Sequence, residues 1–327
     1  MSLQTSRRHF STGLVAAGAS AVLPLWAQPV PDYPAKAIRY VVPFPPGGLT
    51  DVMARLIGQK LSEALKVSVL VDNKPGANAN LGADLVAKAA PDGYTWLAVT
   101  LAHAVNASLF TSLPYSVEKN LVPVVHLATS PLVLVVNASS PVKTLKDFLE
   151  RAKGQPLSGG SSGNGTPPHL GLELLAGEAR LNFTHIPYKG GAPSMNDLMG
   201  GQIDFIVSNL PESSAFIRSG KLRGLAVSSP QRHALLPDVP TFNELGLPAM
   251  EIENWTGMMM PAGTPRAIIE QVSALAARSV RTPEIADRVG AMGFTATGLG
   301  PSEFAAILQR DLNRWREIIK ARQIKPD

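Results

Sequence analysis

Two glycine-rich segments carry the residue types best suited to holding a small anion. The first spans residues 43–51 and contains Gly47-Gly48; the second spans residues 158–169 and contains Gly159-Gly160 and Gly163. Glycine lets backbone amides approach a bound group closely. Each segment also precedes a predicted helix, whose amino end carries free amides and partial positive charge. Both segments therefore predict an anion site built from backbone dipoles.

The second segment adds side-chain donors to these dipoles. Ser161, Ser162, Asn164 and Thr166 supply hydroxyl and amide groups, and the segment contains no lysine or arginine. Thr166 is a natural N-cap followed by proline at the first helical position. These features favour a carboxylate cradle over a flexible Gly/Ser linker. In the first segment, Thr50 or Asp51 is expected to cap the helix, and the alternative there is simply a tight, capped turn.

Enzymatic interpretations fit less well. Gly159–Gly163 matches the G-x-S-x-G nucleophile elbow, with Asp238 as the acid, but His233 precedes Asp238 and no histidine follows it. This order disfavours an α/β-hydrolase-like esterase. No Lys-Ser/Thr follows the glycines, which excludes a P-loop, and G-x-G-x-x-G is lacking after the first strand. We expect no enzyme activity.

The sequence gives no support for a metal, a cofactor or a nucleic-acid partner. The chain has 327 residues, no cysteine and a net charge of +5, without a basic run interleaved with aromatic residues. The histidines at 103, 126, 169 and 185 are scattered and lack zinc-ligand spacing. Binding of nucleic acid is therefore not expected.

The amino terminus predicts export. Arg7-Arg8 precedes an apolar, charge-free stretch over residues 13–27 and resembles a twin-arginine signal, with cleavage expected after Ala27. A membrane anchor is the alternative, but the apolar run is short. We expect a soluble mature protein in the periplasm of a Gram-negative type of cell.

Strand and helix patterns alternate along the rest of the chain, with strands predicted over residues 122–127, 132–137 and 183–187 among others. This alternation predicts mostly parallel sheets covered by helices. The α/β pattern occurs twice, and the two C-terminal helices have no sheet of their own. We therefore predict two lobes, with residues 28–127 plus 254–327 in lobe I and residues 128–253 in lobe II. A cleft between lobes suits a ligand, and strands that cross between them suit a hinge.

Many short motifs together resemble the Bug family, the TctC-like extracytoplasmic receptors of tripartite tricarboxylate transporters. The resemblance runs from about Tyr33 to the C-terminus. Its motifs include Val41-Val42-Pro43-Phe44-Pro45-Pro46-Gly47-Gly48, Pro91-Asp92-Gly93-Tyr94-Thr95, Ser161-Ser162-Gly163-Asn164-Gly165, Pro187-Tyr188-Lys189-Gly190-Gly191 and Leu236-Pro237-Asp238-Val239-Pro240-Thr241.

The resemblance implies a type II-like, two-lobed α/β binding protein with its ligand between the lobes. The residues expected at the ligand come from both glycine-rich segments, the loop after the third strand, the motif at 187–191 and the segment 205–209. They are Gly47, Gly48, Leu49, Thr50, Asp51, Ala102, His103, Ser161, Ser162, Gly163, Asn164, Gly165, Thr166, His169, Tyr188, Ser208 and Asn209. Many relatives carry Asp at the position of Ser208, so its loss predicts an acid without an amino group.

The implied function is capture of a small carboxylate for a transporter with TctA- and TctB-like membrane subunits. We expect the receptor to be a monomer. The alternative is a sensory module that presents the same ligand to a sensor kinase.

Overall fold

A computed structural model describes Met1 and residues 33–326. The predicted leader over residues 1–27 therefore lies outside the described residues, except for Met1. Residues 32–327 form one compact unit. Its strands are β1 (Ile38–Val42), β2 (Val69–Asn73), β3 (Thr95–Thr100), β4 (Leu121–Asn137), β5 (Leu157–Ser161), β6 (Phe183–Pro187), β7 (Phe205–Asn209), β8 (Leu222–Val227), β9 (Glu253–Pro261) and β10 (Thr295–Leu299).

Helices separate most of these strands. They are α1 (Leu49–Leu65), α2 (Asn80–Ala87), α3 (Leu101–Leu109), α4 (Val117–Asn120), α5 (Leu145–Gly154), α6 (Pro167–Glu178), α7 (Gly191–Met199), α8 (Leu210–Arg218), α9 (Arg266–Val280), α10 (Pro283–Ala291) and α11 (Pro301–Arg322). The predicted α/β fold is confirmed.

The strands form a mixed sheet in which β4 is shared by two halves. The strand order is β2-β1-β3-β9-β4-β7-β5-β6, and β8 and β10 also pair with β4. We call β1, β2, β3, β9, β10 and the first part of β4 the first half, and β5 to β8 with the last part of β4 the second half.

β4 was predicted as two strands, 122–127 and 132–137, and this was wrong. Its first part is antiparallel to β9 as far as the Pro131–Glu253 pair, and from Leu132 onward it pairs with β7 instead. Pro131 therefore stands where one ladder ends and the next begins, a position at which a missing N–H is tolerated. One strand runs continuously through both halves.

The carboxyl ends of five strands lead into helices where the two halves meet. β1, β2 and β3 are parallel to one another, and β5 is parallel to β6 and β7, but the two sets run in opposite directions, so their carboxyl ends face each other. Helices α1, α3, α6, α7 and α8 are the next helices after β1, β3, β5, β6 and β7, respectively. In open α/β sheets, ligands bind at the carboxyl ends of the strands.

The C-terminal helices pack on the first half. α9 contacts α1 and β4, and α11 contacts α3 and β4. Apolar residues at helical spacing, including Phe304, Leu308, Leu312 and Trp315, bury one face of α11. Five of these elements, α3, α4, α10, β5 and β10, were not predicted. α3 starts one residue after β3 without a turn signal, so Ala102 and His103 belong to a helix and not to the predicted loop.

No helix within residues 33–326 is long and apolar enough to cross a membrane.

Gly257 in β9 allows α11 to pack closely against the sheet. A Cβ at this position would lie 2.8 Å from both the Phe304 ring and the Val125 carbonyl oxygen. We predict that Gly257→Ala lowers the free energy of unfolding by about 1–3 kcal/mol, because the backbone or ring must shift. Urea denaturation measures this loss. Gly154→Ala is the control, since a Cβ there meets nothing within 4 Å; equal stability of the two variants would contradict the packing.

Candidate functional site

The helix amino ends surround one cavity of about 530 Å³. This is within the usual size range of small-molecule sites. Its walls come from the loops that follow β1, β3, β5, β6 and β7, with further residues from β9 and the segment before β10. They include Phe44, Gly47, Gly48, Leu49, Thr50, Ala102, Ser162, Thr166, Lys189, Gly191, Asn209, Glu212, Asn254, Trp255 and Phe294. We call this cavity the cleft.

The loop after β1 offers free backbone donors to the cleft. Gly48 is the N-cap of α1, so Thr50 and Asp51 lie inside the first turn, and the prediction that one of them is the cap was wrong. Among the described residues, no acceptor lies within hydrogen-bond range of the amides of Leu49 and Thr50. These amides are orphans of the helix start, and a ligand oxygen can accept from them.

Asp51 holds this loop in place from beneath the cleft. It is 2% exposed. Its carboxylate accepts from the Gly47 amide, Arg55 Nε and Asn73 Nδ2, each at 2.9 Å. Burial alone would raise the pKa of Asp51, but these three hydrogen bonds outweigh it and hold the pKa below its usual value. Asp51 therefore stays ionised and positions the loop without lining the cleft.

The loop after β5 uses up most of the backbone donors that the sequence predicted for a ligand. The Gly163 amide donates to Ser161 Oγ at 3.2 Å, the Gly165 amide to His169 Nδ1 at 3.0 Å and the Thr166 amide to the Gly163 carbonyl at 3.3 Å. Pro167 and the next residue, also proline, have no N–H. Three of this loop's amides are therefore already paired within the loop and its helix, while the binding role of the loop stays a prediction.

The same loop reaches the cleft with two hydroxyl groups. Ser162 and Thr166 line the cavity, and Ser162 Oγ donates to Thr166 Oγ1 at 3.3 Å. Thr166 is the N-cap of α6 as predicted, but its hydroxyl donates to the Gly163 carbonyl at 2.6 Å and does not cap the helix. The two hydroxyls face the cleft from the second half, while Leu49 and Thr50 face it from the first.

Ser161 and His169 lie behind this loop, away from the cleft. Ser161 is the last residue of β5, and its Oγ is 2.7 Å from His185 Nε2. The rings of His169 and His185 stack at 4.0 Å. Burial, followed by the neighbouring His169, lowers the pKa of His185 to about 4. Ser161 is 0% exposed, so this Ser–His pair has no access to a substrate and does not form an esterase site.

Three other residues predicted to bind the ligand, His103, Tyr188 and Ser208, lie near the cleft but do not line it. His103 is buried, its Nδ1 accepts from the Thr100 amide at 3.1 Å, and burial lowers its pKa to about 4. Tyr188 donates its hydroxyl to Asp197 at 2.7 Å, and Ser208 donates to the Asn209 carbonyl at 2.9 Å. Gly163, Asn164 and Gly165 belong to the loop but not to the cavity lining.

The cleft also contains residues that were not predicted. Lys189 and Glu212 bring charge, whereas Asn254, Trp255 and Phe294 come from segments with no local signal for a site. Lys189-Gly190-Gly191 follows a strand and precedes a helix, the same arrangement as Gly47-Gly48. That repetition could have identified Lys189. Glu212 lies in the first turn of a helix, where an acidic residue is commonplace.

A curled α/β sheet in two halves, with helix amino ends around one cleft, is the architecture of periplasmic solute-binding proteins. The chain matches the model of the "Tripartite tricarboxylate transporter family receptor" over residues 53–324. It is 35% identical to Protein BugT of Bordetella pertussis, over 94% of this chain and 95% of BugT.

Solved structures agree. The protein Rpa4515 of R. palustris with adipate is 32% identical, with a TM-score of 0.83, covering 90% of this chain and 100% of that one. MatC of Rhodopseudomonas palustris with bound malate is 29% identical, with a TM-score of 0.79, covering 88% of this chain and 100% of MatC. The chain belongs to the tripartite tricarboxylate transporter receptor family. These are periplasmic receptors and not enzymes, and the resemblance seen in the sequence is confirmed.

Asp51 gives a direct test of how the first loop is positioned. We predict that Asp51→Asn folds but loses about 1–3 kcal/mol of stability, because an amide nitrogen would face at least one buried donor. Ligand affinity should fall about tenfold, since the Leu49 and Thr50 amides lose their fixed position. Thermal unfolding and calorimetric titration measure the two effects.

The matched control for Asp51→Asn is Glu63→Gln, an exposed acid on the same helix. Unchanged ligand affinity in Asp51→Asn, with the expected loss of stability, would show that Asp51 supports the fold but does not order the binding loop.

Proposed function

We propose that this receptor captures a small carboxylate in the cleft and delivers it to the membrane subunits of a tripartite transporter. The observation that supports this most strongly is the convergence of five helix amino ends, those of α1, α3, α6, α7 and α8, on one cavity. Each such end contributes about 0.3–1 kcal/mol toward an exposed anion, and more when the site is partly buried. A site of this kind favours an anionic ligand.

The ligand carboxylate is best placed between the two halves. On one side, the Leu49 and Thr50 amides are free to donate; on the other, the Ser162 and Thr166 hydroxyls line the cavity. Lys189 is exposed at the same cleft and adds positive charge. Because charge-assisted hydrogen bonds strengthen as water is excluded, a ligand that engages both sides favours a closed cleft.

The proposed lobes are residues 28–127 plus 254–327 and residues 128–253, as the sequence predicts. β4 and the segment between β8 and β9 connect the two halves of the sheet. Bending at these two connections would open and close the cleft, which is the usual hinge arrangement of binding proteins.

Relatives support a carboxylate as the ligand class. Rpa4515 was solved with adipate, and MatC was solved with bound malate. We propose that the present chain also binds a carboxylate, without assigning it adipate or malate. The partners proposed are TctA- and TctB-like subunits, with the receptor acting as an exported, periplasmic monomer.

A thermal-shift panel of mono-, di- and tricarboxylates, amino acids and aromatic acids tests the proposed ligand class. An acid at 100 times its dissociation constant should stabilise the protein by about 2.7 kcal/mol. Ser162→Ala should reduce the shift for the best acid, because it removes a hydroxyl that can turn from Thr166 Oγ1 to donate to a ligand oxygen. Ser219→Ala, at an exposed helix end, is the control.

No shift with any acid at millimolar concentration would contradict a carboxylate receptor. Equal shifts in Ser162→Ala and the control would place the carboxylate elsewhere in the cleft.

A further inference from the structure

The cleft contains a carboxyl group of its own at the amino end of α7. Glu212, in the first turn of α8, lines the cavity and is half-buried. Its carboxylate packs so closely on Gly191, the first residue of α7, that any side chain at Gly191 would collide with it. The protein thus places one of its own acidic groups at one of the five helix amino ends.

Two asparagines connect Glu212 to the first half of the sheet. Asn254 Nδ2 donates to Asn209 Oδ1 at 3.1 Å. The Asn209 side chain in turn interacts with Glu212 and favours its ionised form, which lowers the pKa of Glu212. These side chains link β9 in the first half to α8 in the second.

Asn254, at the other end of this series of side chains, also carries an acceptor. Asn254 lines the cleft, and its Oδ1 is buried with no hydrogen-bond partner among the described residues. A buried unpaired acceptor is costly, but a ligand could reach this atom only if the Asn254 side chain turned toward the cleft. Glu212 is therefore the acceptor that this side of the cleft presents. We call this side of the cleft the acceptor wall.

This acceptor wall adjoins the hydroxyls proposed to bind the ligand carboxylate. The Gly190 amide donates to the Ser162 carbonyl at 3.2 Å, and the next residue, Gly191, lies against Glu212. A ligand whose carboxylate lies at Ser162 and Thr166 has Glu212 close to its remaining polar group. That group meets acceptors rather than donors.

We infer that Glu212 determines ligand specificity: it selects carboxylates whose second polar group donates a hydrogen bond and disfavours a second ionised carboxylate. This inference rests on the proposed carboxylate function and narrows it. A hydroxyl or an ammonium group supplies the donor. A second ionised carboxylate would instead face the charge of Glu212 at short range.

Glu212 also changes what Ser208 implies. The sequence suggests that replacing the usual Asp by Ser208 removes negative charge from the site and disfavours an amino-bearing ligand. Glu212 supplies a carboxylate to the same cleft from the following helix. An ammonium group is therefore within the selected class.

The preference for a hydrogen-bond donor over a second carboxylate should depend on pH, because it depends on the ionisation of Glu212. Burial raises the pKa of Glu212 to about 7, although the hydrogen bond from Asn209 acts in the opposite direction. Lys189 is the other charged side chain that lines the cleft, and it forms no ion pair with Glu212 within residues 33–326. Below about pH 6 Glu212 is neutral, so the penalty on a second carboxylate falls; near pH 8 the penalty is complete.

Calorimetric titration with matched six-carbon acids tests the inference. Adipate, hexanoate, 6-hydroxyhexanoate and 6-aminohexanoate share a length and differ only at the second end. At about pH 8, we expect the hydroxy or the amino acid to bind at least about tenfold more tightly than adipate. Glu212→Gln removes the charge and should reduce this difference in affinity to within about threefold. Glu118→Gln, on the exposed helix α4, should keep the wild-type ratio.

The wild-type protein provides a second measurement that does not depend on the folding of a variant. Lowering the pH from about 8 to about 6 should improve adipate binding relative to 6-hydroxyhexanoate, and Glu212→Gln should lose this dependence. The role of Glu212 would be overturned if the ratio of affinities for 6-hydroxyhexanoate and adipate were the same in wild type and Glu212→Gln and at both pH values. That result would leave the carboxylate function intact. Failure of this set and of the equivalent four-carbon acids to bind either protein would overturn both proposals.

Discussion

The cleft depends on a single constraint: β4 belongs to both halves of the sheet. Its first part pairs with β9 and its last part with β7 and β8, so the two halves share one continuous backbone. Since strand direction is thereby fixed in both halves, the carboxyl ends of β1 and β3 face those of β5, β6 and β7. Every helix that follows these strands begins at the same cavity.

In the proposed anion site, helix amino ends and hydroxyls would supply most of the attraction. Lys189 is the cation within the cleft lining. The distribution of free donors is uneven, however. The loop after β5 consumes its own amides, while the loop after β1 leaves those of Leu49 and Thr50 unpaired because the Asp51 carboxylate holds the turn. A glycine-rich loop can therefore be a support for a site and not its donor surface.

The sequence predicts those parts of the fold and of the site that depend on interactions between neighbouring residues. Strands with a clear pattern were located well, and β6 was placed at its observed ends, Phe183 and Pro187. α3 was missed because nothing in the sequence breaks the chain between β3 and the helix. The amide partners of Gly163 and Gly165, which are Ser161 Oγ and His169 Nδ1, could not be predicted because they depend on side-chain orientation. Glu212 and Asn254 enter the cleft through long-range packing, which no local pattern reveals.

The central claim is that the ligand is held by both halves at once, and amide hydrogen exchange measures this directly. With an acid identified in the panel, exchange should slow both in the segment containing Leu49 and Thr50 and in the segment 162–166, at the same ligand concentration. Slower exchange in one segment alone, or in neither, would contradict a carboxylate bound across the cleft.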